Sequence, residues 1–427
     1  MTAAADIFRY TDVNSCKTFG CRNFGVLNSP SYAQRGENIL CQACGFHFPV
    51  ISAAAFNAFK AQTNRGYHGV VWACPYCGKR DGLARNGYAG NGQQRVRCAG
   101  CRKTFVFYER LRVAPHLSQL ADMIRAGQPL HERPGFSPKA TGRDLQQLAF
   151  TARVSPFLAR PFTLEATFAT ATFSINFNGS PNRLYVIVTV EKKSDRVIAL
   201  TTNYALRSAP IPFEYRYSAN EEELLVSQES VARIFAKDRL MGRRALFFDA
   251  RYGAARLKSN DAGAIVKPVL AAYRHFEIVK SLTQNAVLYV QHYIEHECFL
   301  YGGCLMANRD DVTSGHCHIA FVHEKGTRAP QRPFRSDIVT SSIIWNDVWR
   351  CFSQPDYQMA VCSLTGPQRI SELREATLQP AHRFIDFIHR HPFYPQLLRL
   401  SPANVGAVLE FLATDYNCGV VKPEVRR

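Results

Sequence analysis

The sequence predicts an α+β protein with two small cysteine-rich modules, a pair of helices, a strand-rich α/β domain and a helical C-terminus. Two observations support this order. Closely spaced cysteine pairs fall within the first 101 residues, and alternating apolar runs typical of strands follow after residue 165. Hydrophobic residues make up 46% of the 427 residues, which is enough for two or three domains and excludes a wholly disordered chain.

The chain is strongly basic, and the excess of cations is uneven. It has 52 Lys and Arg against 34 Asp and Glu, a formal charge of +18. Residues 1–150 hold 19 Lys and Arg against 8 Asp and Glu, so about a third of the chain carries more than half of the excess. Such a surface favours a polyanionic partner without identifying it.

The N-terminus shows no targeting segment. Residues 1–10 have no apolar core, and no uninterrupted apolar run in the chain is long enough to span a bilayer. We therefore expect a cytoplasmic protein without a membrane partner, whose 14 cysteines are mostly reduced. Under reducing conditions, close cysteine pairs favour metal binding over disulfides.

The most specific pattern is a pair of CxxC turns separated by 20 residues. A CxxC turn places two thiolates on one side, and two such turns complete a tetrahedral sulfur shell for zinc. The four predicted ligands are Cys74, Cys77, Cys98 and Cys101. Gly78 and Gly100 stand where a tight turn would allow positive φ.

A second set of cysteines has the same layout with a looser first turn. Its predicted ligands are Cys16, Cys21, Cys41 and Cys44. His47 or His68 could replace one of them, although a lone histidine is more often an ordinary core or surface residue. Closed four-cysteine shells are structural, so we expect two Zn²⁺ ions that hold the modules together and do no chemistry.

Cationic and aromatic side chains are interleaved around the second cysteine set. With two cations of a predicted helix, they make up the predicted DNA contacts: Lys79, Arg80, Arg85, Arg95, Arg97, Arg102, Lys103, Lys139 and Arg143. Such side chains would contact the phosphates of double-stranded DNA. A solvated charged face is the alternative, and we favour DNA because charge, zinc spacing and a helix pair coincide.

The remaining secondary structure follows from periodicity. Leu117, Leu120 and Ile124 have helical spacing, and Ser137-Pro138 is typical of an N-cap and first helical residue, so this region is a helix-turn-helix candidate. Strands are predicted at 173–177, 184–190, 197–202, 244–249 and within 286–325, and helices at 220–236 and 368–427.

The stretch from Cys74 to Phe105 resembles the N-terminal zinc ribbon of bacterial insertion-sequence transposases. Besides the cysteines, the matching residues are Asn86-Gly87, Gly92, Gln94-Arg95 and Lys103-Thr104-Phe105. The upstream CKTFGCRNFGV looks like the other ribbon often found in these proteins, and residues 117–150 look like the helix-turn-helix that follows. The resemblance covers roughly the first third of the chain.

The resemblance implies that a ribonuclease-H-like DDE domain follows, in which three carboxylates hold two divalent ions such as Mg²⁺ for phosphoryl transfer. It also implies a homo-oligomer, because such transposases act as dimers or larger assemblies. We therefore predict a first zinc ribbon, a second zinc ribbon, a helix-turn-helix, a ribonuclease-H-like domain with a β insertion and a helical C-terminal region. Their boundaries are 1–68, 69–112, 113–155, 160–365 and 366–427.

The sequence departs from this family at the first carboxylate, which belongs on the first strand. That strand offers Asn176 and Asn178, and neither is an acid. Asp249 fits the second catalytic position, although an aspartate that merely ends a strand fits equally well. The candidates for the third acid are Glu295, Glu297 and Asp347.

We therefore expect a zinc-dependent DNA-binding protein of transposase origin that has lost strand cleavage and acts as a regulator. One alternative is an active transposase whose first acid lies elsewhere, for example Glu191. Another is a scaffold whose ribbons bind protein or RNA.

Two further patterns are less specific. His292-x-x-Glu295-His296 matches a metalloprotease motif, but its surroundings look like a strand. A loose group of cysteines and histidines could hold a third metal, although buried free cysteines in a strand-rich core are the interpretation we prefer. Its members are Cys298, Cys304, His316, Cys317, His318 and His323.

Overall fold

The computed structural model describes residues 13–36, 38–51, 74, 82–90, 94–106, 115–158, 164–177, 183–206, 255–256, 263–265, 268–283, 288–297, 299–326, 328, 335–340, 348–366 and 369–420. These residues form a mixed α+β structure, as the sequence predicts. Within these ranges, no helix has the length and apolar character needed to cross a membrane.

The strands are β1 (Tyr32–Arg35), β2 (Asn38–Cys41), β3 (His47–Pro49), β4 (Leu83–Tyr88), β5 (Gln94–Cys98), β6 (Thr104–Val106), β7 (Glu165–Asn176), β8 (Arg183–Glu191), β9 (Val197–Thr202), β10 (Tyr204–Leu206), β11 (Ala255–Arg256), β12 (Gly263–Ile265), β13 (Tyr289–Glu295), β14 (Cys317–Gly326), β15 (Arg335–Thr340), β16 (Val348–Gln354) and β17 (Tyr357–Ser363). The helices are α1 (Pro115–Arg125), α2 (Pro138–Leu158), α3 (Pro268–Thr283), α4 (Leu300–Ala307), α5 (Arg309–Thr313), α6 (Ile370–Arg374), α7 (Gln379–Arg390), α8 (Tyr394–Leu397) and α9 (Pro402–Val420).

One large sheet has the strand order β15-β16-β17-β14-β13-β7-β8-β9. Strands β7, β8 and β9 are antiparallel to one another, whereas β13 runs parallel to β7 and β14 runs parallel to β13. Every described side chain of β8 is buried. This strand, next to the edge strand β9, therefore has a nearly continuous apolar sequence, which is typical of a sheet covered on both faces.

Helices that precede and follow the sheet strands in the sequence pack into the same apolar core as the sheet. Leu120 of α1, Leu145 of α2 and Leu409 of α9 belong to the same buried cluster as the sheet. Helix α2 also packs on the start of α9, where Gln146 donates its side-chain N–H to the carbonyl of Ala403 at 3.0 Å. The predicted helix pair thus packs with the large sheet in one apolar core, and we call the sheet with the helices packed on it the main body. The domain boundaries stay predictions.

Most predicted elements in the described ranges are confirmed. Strands β7 to β9 cover the three runs predicted after residue 165, α2 begins at Pro138, and the C-terminal region is helical. Residues 286–325 contain the predicted strands as β13 and β14, but helices α4 and α5, which were not predicted, lie between them. Periodicity cannot distinguish a short apolar run such as that of α4 from a buried strand. The helix predicted at 220–236 and the strand at 244–249 lie outside the described residues.

Candidate metal centres

The first cysteine set forms a compact cluster. The Sγ atoms of its four cysteines all lie within 4.8 Å of one another. The Sγ atoms of Cys16 and Cys44 are 3.5 Å apart, and those of Cys21 and Cys41 are 3.8 Å apart. Four sulfurs at a Zn–S distance of about 2.3 Å in a tetrahedron stand about 3.8 Å from each other. The cluster therefore fits a zinc ion.

Local backbone geometry positions these thiols. Gly45 follows the second pair with a φ of 74° and donates its N–H to the carbonyl of Cys41 at 2.8 Å. Asn23 donates its backbone N–H to Sγ of Cys21 and its side-chain N–H to Sγ of Cys41, each at 3.4 Å. Such donors orient metal ligands and stabilise their thiolate form.

The surroundings divide the thiols into two kinds. Burial opposes ionisation of Cys41, but hydrogen bonds from Asn23 and from nearby backbone N–H groups outweigh it and lower the pKa of Cys41 to about 7. Burial raises the pKa of Cys16 and of Cys21 above the ordinary value of a thiol. A metal ion entering this cluster would therefore meet a readily ionised thiol at Cys41 and displace protons from Cys16 and Cys21.

The three described cysteines of the second set also form a cluster. The Sγ atoms of Cys74, Cys98 and Cys101 lie within 4.8 Å of one another, and Cys77 lies outside the described residues. Arg102 has a φ of 59° and donates its N–H to the carbonyl of Cys98 at 2.8 Å. The left-handed residue of this turn is thus Arg102, where the sequence had suggested Gly100.

The remaining candidate ligands do not join either cluster. Among the described residues, the only groups of three or more His, Cys, Asp or Glu side chains at metal-sharing distance are the two cysteine clusters. His47 lies in β3 outside them, and Cys304 and Cys317 are fully buried in the apolar core. Cys298 and His68 lie outside the described residues.

The first module packs against α4 and α5 of the main body. Arg309 donates a guanidinium N–H to the carbonyl of Gly25 at 3.2 Å, and the Ser15 hydroxyl contacts Sδ of Met306 at 3.3 Å. The rings of Phe46 and Tyr301 meet edge to face with centroids 6.1 Å apart. The sequence held no signal for this docking, because each contact joins residues far apart in the chain.

The ends of the first module are tied together as well. Asn14 exchanges two hydrogen bonds with the backbone of Ile51, both at 2.8 Å. Lys17 is buried, donates to the carbonyls of Val13 and Ser15, and places its ammonium group 4.4 Å from the centre of the Phe48 ring. Burying a lysine is costly unless its charge is well coordinated, so this contact holds one particular arrangement of the chain.

The second module has a small apolar core of its own. Val96 and Phe105 pack with Cys74 and Cys98 in a cluster separate from that of the main body. Strand β5 alternates strictly, with Val96 and Cys98 inside and Arg95 and Arg97 outside. The metal would therefore lie under one face of a three-stranded sheet whose opposite face is cationic.

Every predicted DNA contact within the described residues is exposed. These are Arg85, Arg95, Arg97, Arg102, Lys103, Lys139 and Arg143. Lys139 and Arg143 stand one turn apart near the start of α2, on the face away from buried Leu145. Lys79 and Arg80 lie outside the described residues.

The carboxylates predicted for phosphoryl transfer are not assembled in the described part of the chain. Glu295, at the end of β13, accepts hydrogen bonds from the backbone N–H and the hydroxyl of Thr172 at 2.8 and 2.6 Å. Glu191 accepts the backbone N–H groups of Lys193 and Ser194 and so closes the turn after β8. Asn178, Asp249 and Asp347 lie outside the described residues, Asn176 is an exposed residue at the end of β7, and Glu297 is buried.

The metalloprotease motif lies on a strand. The two histidine ligands of the motif, His292 and His296, are four residues apart on extended backbone, which separates them by about 13 Å and prevents them from sharing one metal ion. The ring of His292 packs against the rings of Phe168 and Phe276 in the core. Burial lowers the pKa of His292 to about 3, which keeps the imidazole neutral.

Buried side chains of the sheet and α3 form a series of hydrogen bonds that the sequence did not predict. The hydroxyls of Thr170 and Thr189 are 2.7 Å apart, and Thr189 and Thr201 lie 2.6 and 3.0 Å from the two ring nitrogens of His275. Burial lowers the pKa of His275 to about 3. Its neutral ring links β8, β9 and α3. Threonine is common in strands, so its presence at these positions does not indicate such a hydrogen bond.

Comparisons with known proteins do not identify the chain. No family model, no curated protein and no solved structure matches it.

Proposed function

We propose that the protein binds double-stranded DNA through its N-terminal zinc modules, and that it derives from an insertion-sequence transposase that no longer cleaves DNA. The observation that carries the proposal is the cationic face of the second module. Residues 82–106 contain five Lys and Arg and no Asp or Glu. All five cations are exposed, and Arg95 and Arg97 lie side by side on the face of β5 opposite the cysteines.

The strand β5 gives this face a defined geometry. Arg95 and Arg97 are two residues apart on one side of a strand, which sets their Cα atoms about 7 Å apart. Arginines presented at fixed spacing can each contact a phosphate of the DNA backbone, and backbone contacts supply most of the affinity of such proteins. A structural zinc ion would keep the three short strands rigid, so little entropy would be lost on binding.

The order of strands in the large sheet supports a transposase origin. Three consecutive antiparallel strands are followed by a helix and by two strands parallel to the first, β13 and β14. This order agrees with the ribonuclease-H-like domain that the resemblance implies. Strand β13 is the neighbour of β7 in this sheet, and the acid at its end is Glu295.

The same region supports the loss of cleavage. A pair of divalent ions needs several charged oxygen ligands that converge on one point. Beside Glu295, the first strand presents Thr172, which is hydrogen-bonded to that carboxylate. Thr172 thus stands beside Glu295 as a neutral hydroxyl and adds no second charged oxygen ligand there.

The test compares DNA affinity at several salt concentrations for the wild type and for Arg95→Ala/Arg97→Ala. Each lost phosphate contact should reduce the slope of log K against log salt by about 0.9, so we expect a decrease of about 2 with weaker binding to every duplex. Arg374→Ala/Arg399→Ala removes two exposed arginines of the C-terminal region and is the matched control. An unchanged slope in the Arg95/Arg97 variant would contradict the proposal.

The same preparation tests the loss of cleavage. We expect no strand transfer with Mg²⁺ or Mn²⁺. Activity that Asp249→Ala abolishes would instead identify an active transposase. Duplex binding that is absent at low salt would favour the protein- or RNA-binding scaffold.

A further inference from the structure

The β4–β5 hairpin of the second module carries an exposed aromatic residue at its tip. Tyr88 ends β4 and is 68% exposed, although the small core of the module lies only a few residues away. The register between β4 and β5 shifts between Arg85 and Tyr88, so that β4 bulges by one residue. Bulges commonly re-aim a side chain, and here the bulge precedes the tyrosine.

Hydrogen bonds hold the backbone at the end of β4, where Tyr88 lies. The side-chain N–H groups of Gln94 donate to the carbonyls of Gly87 and Arg95 at 2.8 and 3.0 Å. Gly87 takes a φ of 66°, and Asn86 donates to the hydroxyl of Thr104 on β6 at 3.3 Å. The tyrosine is therefore presented from a fixed backbone, which reduces the entropy lost when a partner binds.

Strand pairing places Tyr88 on the face of the sheet opposite Arg95 and Arg97. Tyr88 pairs with Gln94 and Arg85 pairs with Val96, so Tyr88 and Arg85 share the face that holds the core. Arg95 pairs with Val106 on the opposite face, beside Arg97. The tip thus combines an aromatic ring and one cation on the side that the duplex-binding arginines do not occupy.

An exposed aromatic ring beside a cation fits an unpaired nucleobase. A base within a duplex is already stacked on both sides and cannot lie on the ring of Tyr88 without unstacking. A single-stranded base can stack there, while Arg85 contacts a neighbouring phosphate. An acidic or apolar partner would leave either the cations or the aromatic ring without a complement.

We propose that the hairpin tip binds an unpaired base next to a duplex, so that the protein prefers DNA with a single-stranded end over a blunt duplex. The inference rests on the proposed DNA binding by this module. It adds a second contact, in which Arg95 and Arg97 bind the duplex and Tyr88 binds the first unpaired base. The two contacts use different faces, and they can therefore be separated by mutation.

The experiment measures the affinity of the full-length zinc-loaded protein for a blunt duplex and for the same duplex with a three-nucleotide overhang. We expect the overhang to tighten binding by roughly 5- to 150-fold, the usual range for stacking one base on an aromatic ring. Tyr88→Ala should abolish this preference and leave affinity for the blunt duplex unchanged. Tyr88→Phe keeps the ring without the hydroxyl and should retain the preference.

Each other outcome has a defined meaning. Equal affinity of the wild type for both DNAs would overturn the inference, and so would an equal loss for both DNAs in Tyr88→Ala. If the blunt duplex is not bound but a six-nucleotide single strand is bound through Tyr88, the duplex proposal fails while base stacking at the tip stands. Zinc content of each variant, measured on the same sample, shows whether the module is still folded.

Discussion

The two cysteine modules have the same kind of ligand set and very different surroundings. The first module is built into the main body, where Val13 and Ile51 at its ends belong to the large apolar core. The second has a separate small core and an exposed cationic face. The first module is therefore packed into the main body, whereas the second leaves its cationic face exposed.

The difference comes from what each module offers to its neighbours. The first places Phe46, Ser15 and the tightly packed Gly25 against α4 and α5. The second module instead presents exposed arginines. Burial of the first module stabilises the main body, whereas burial of the second would require desolvating five cations, which is unfavourable without an anionic partner.

The largest expected effect is the loss of a ligand from the first module. Cys41→Ser should remove one zinc ion per chain and lower the melting temperature of the main body by roughly 5–10 °C, because α4 and α5 lose their cover. Cys98→Ser should remove one zinc ion and leave this transition nearly unchanged. Zinc analysis and circular dichroism melts check both results, and equal shifts in the two variants would refute the comparison.

A smaller effect is expected where the first module touches Arg309. Gly25 has a φ of 68°, and a Cβ atom there would lie 2.3 Å from Cδ of Arg309. Gly25→Ala should therefore destabilise the chain by about 2 kcal/mol, from backbone strain together with displacement of Arg309. Gly20→Ala is the matched control, because Gly20 has a φ of 82° and open space around its Cα.

Urea unfolding distinguishes these two glycine variants. Strain alone should cost Gly20→Ala about 1 kcal/mol. An equal loss in both variants would mean that contact with Arg309 contributes nothing to stability, and the docking of the first module would then be loose.

The effect of pH on the core of the main body is small near neutral pH and grows as the pH falls. His292 is neutral when folded, with its pKa lowered by burial to about 3, whereas the unfolded chain would bind a proton near the ordinary value of 6.5. The unfolded state thus binds more protons between these values, so stability falls as pH decreases from about 6.5 towards 3. This histidine contributes a slope of up to about 1.4 kcal/mol per pH unit.

His292→Phe should remove that contribution, because phenylalanine fits between Phe168 and Phe276 without a titratable group. Urea melts at pH 7 and at lower pH measure the slope for both proteins. The cysteine clusters are identical in the two, so acid release of metal affects them equally. A slope that does not change would show that His292 is accessible to protons in the folded state.

The cysteine positions and the central strands could be predicted because their signals are local. A CxxC turn is set by residues three apart, and strands β7 to β9 show their pattern within a few residues. Helix α4 was missed because a short apolar segment has no period to measure, and α5 was missed because five residues are too few to show one. The contact of Thr172 with Glu295 was missed because it joins residues 123 apart in sequence.

Three features could be recognised from the sequence alone: the two cysteine sets, the basic character of the second module and an asparagine, Asn176, where the resemblance calls for an acid. These follow from residue type and short spacing, which tertiary structure does not change. The docking of the first module on the main body, and the placement of Tyr88 on the face opposite Arg95 and Arg97, become visible only in the tertiary structure. The docking depends on contacts between residues that are far apart in the chain. The face on which each side chain lies depends on the register between strands, which no single strand sequence specifies.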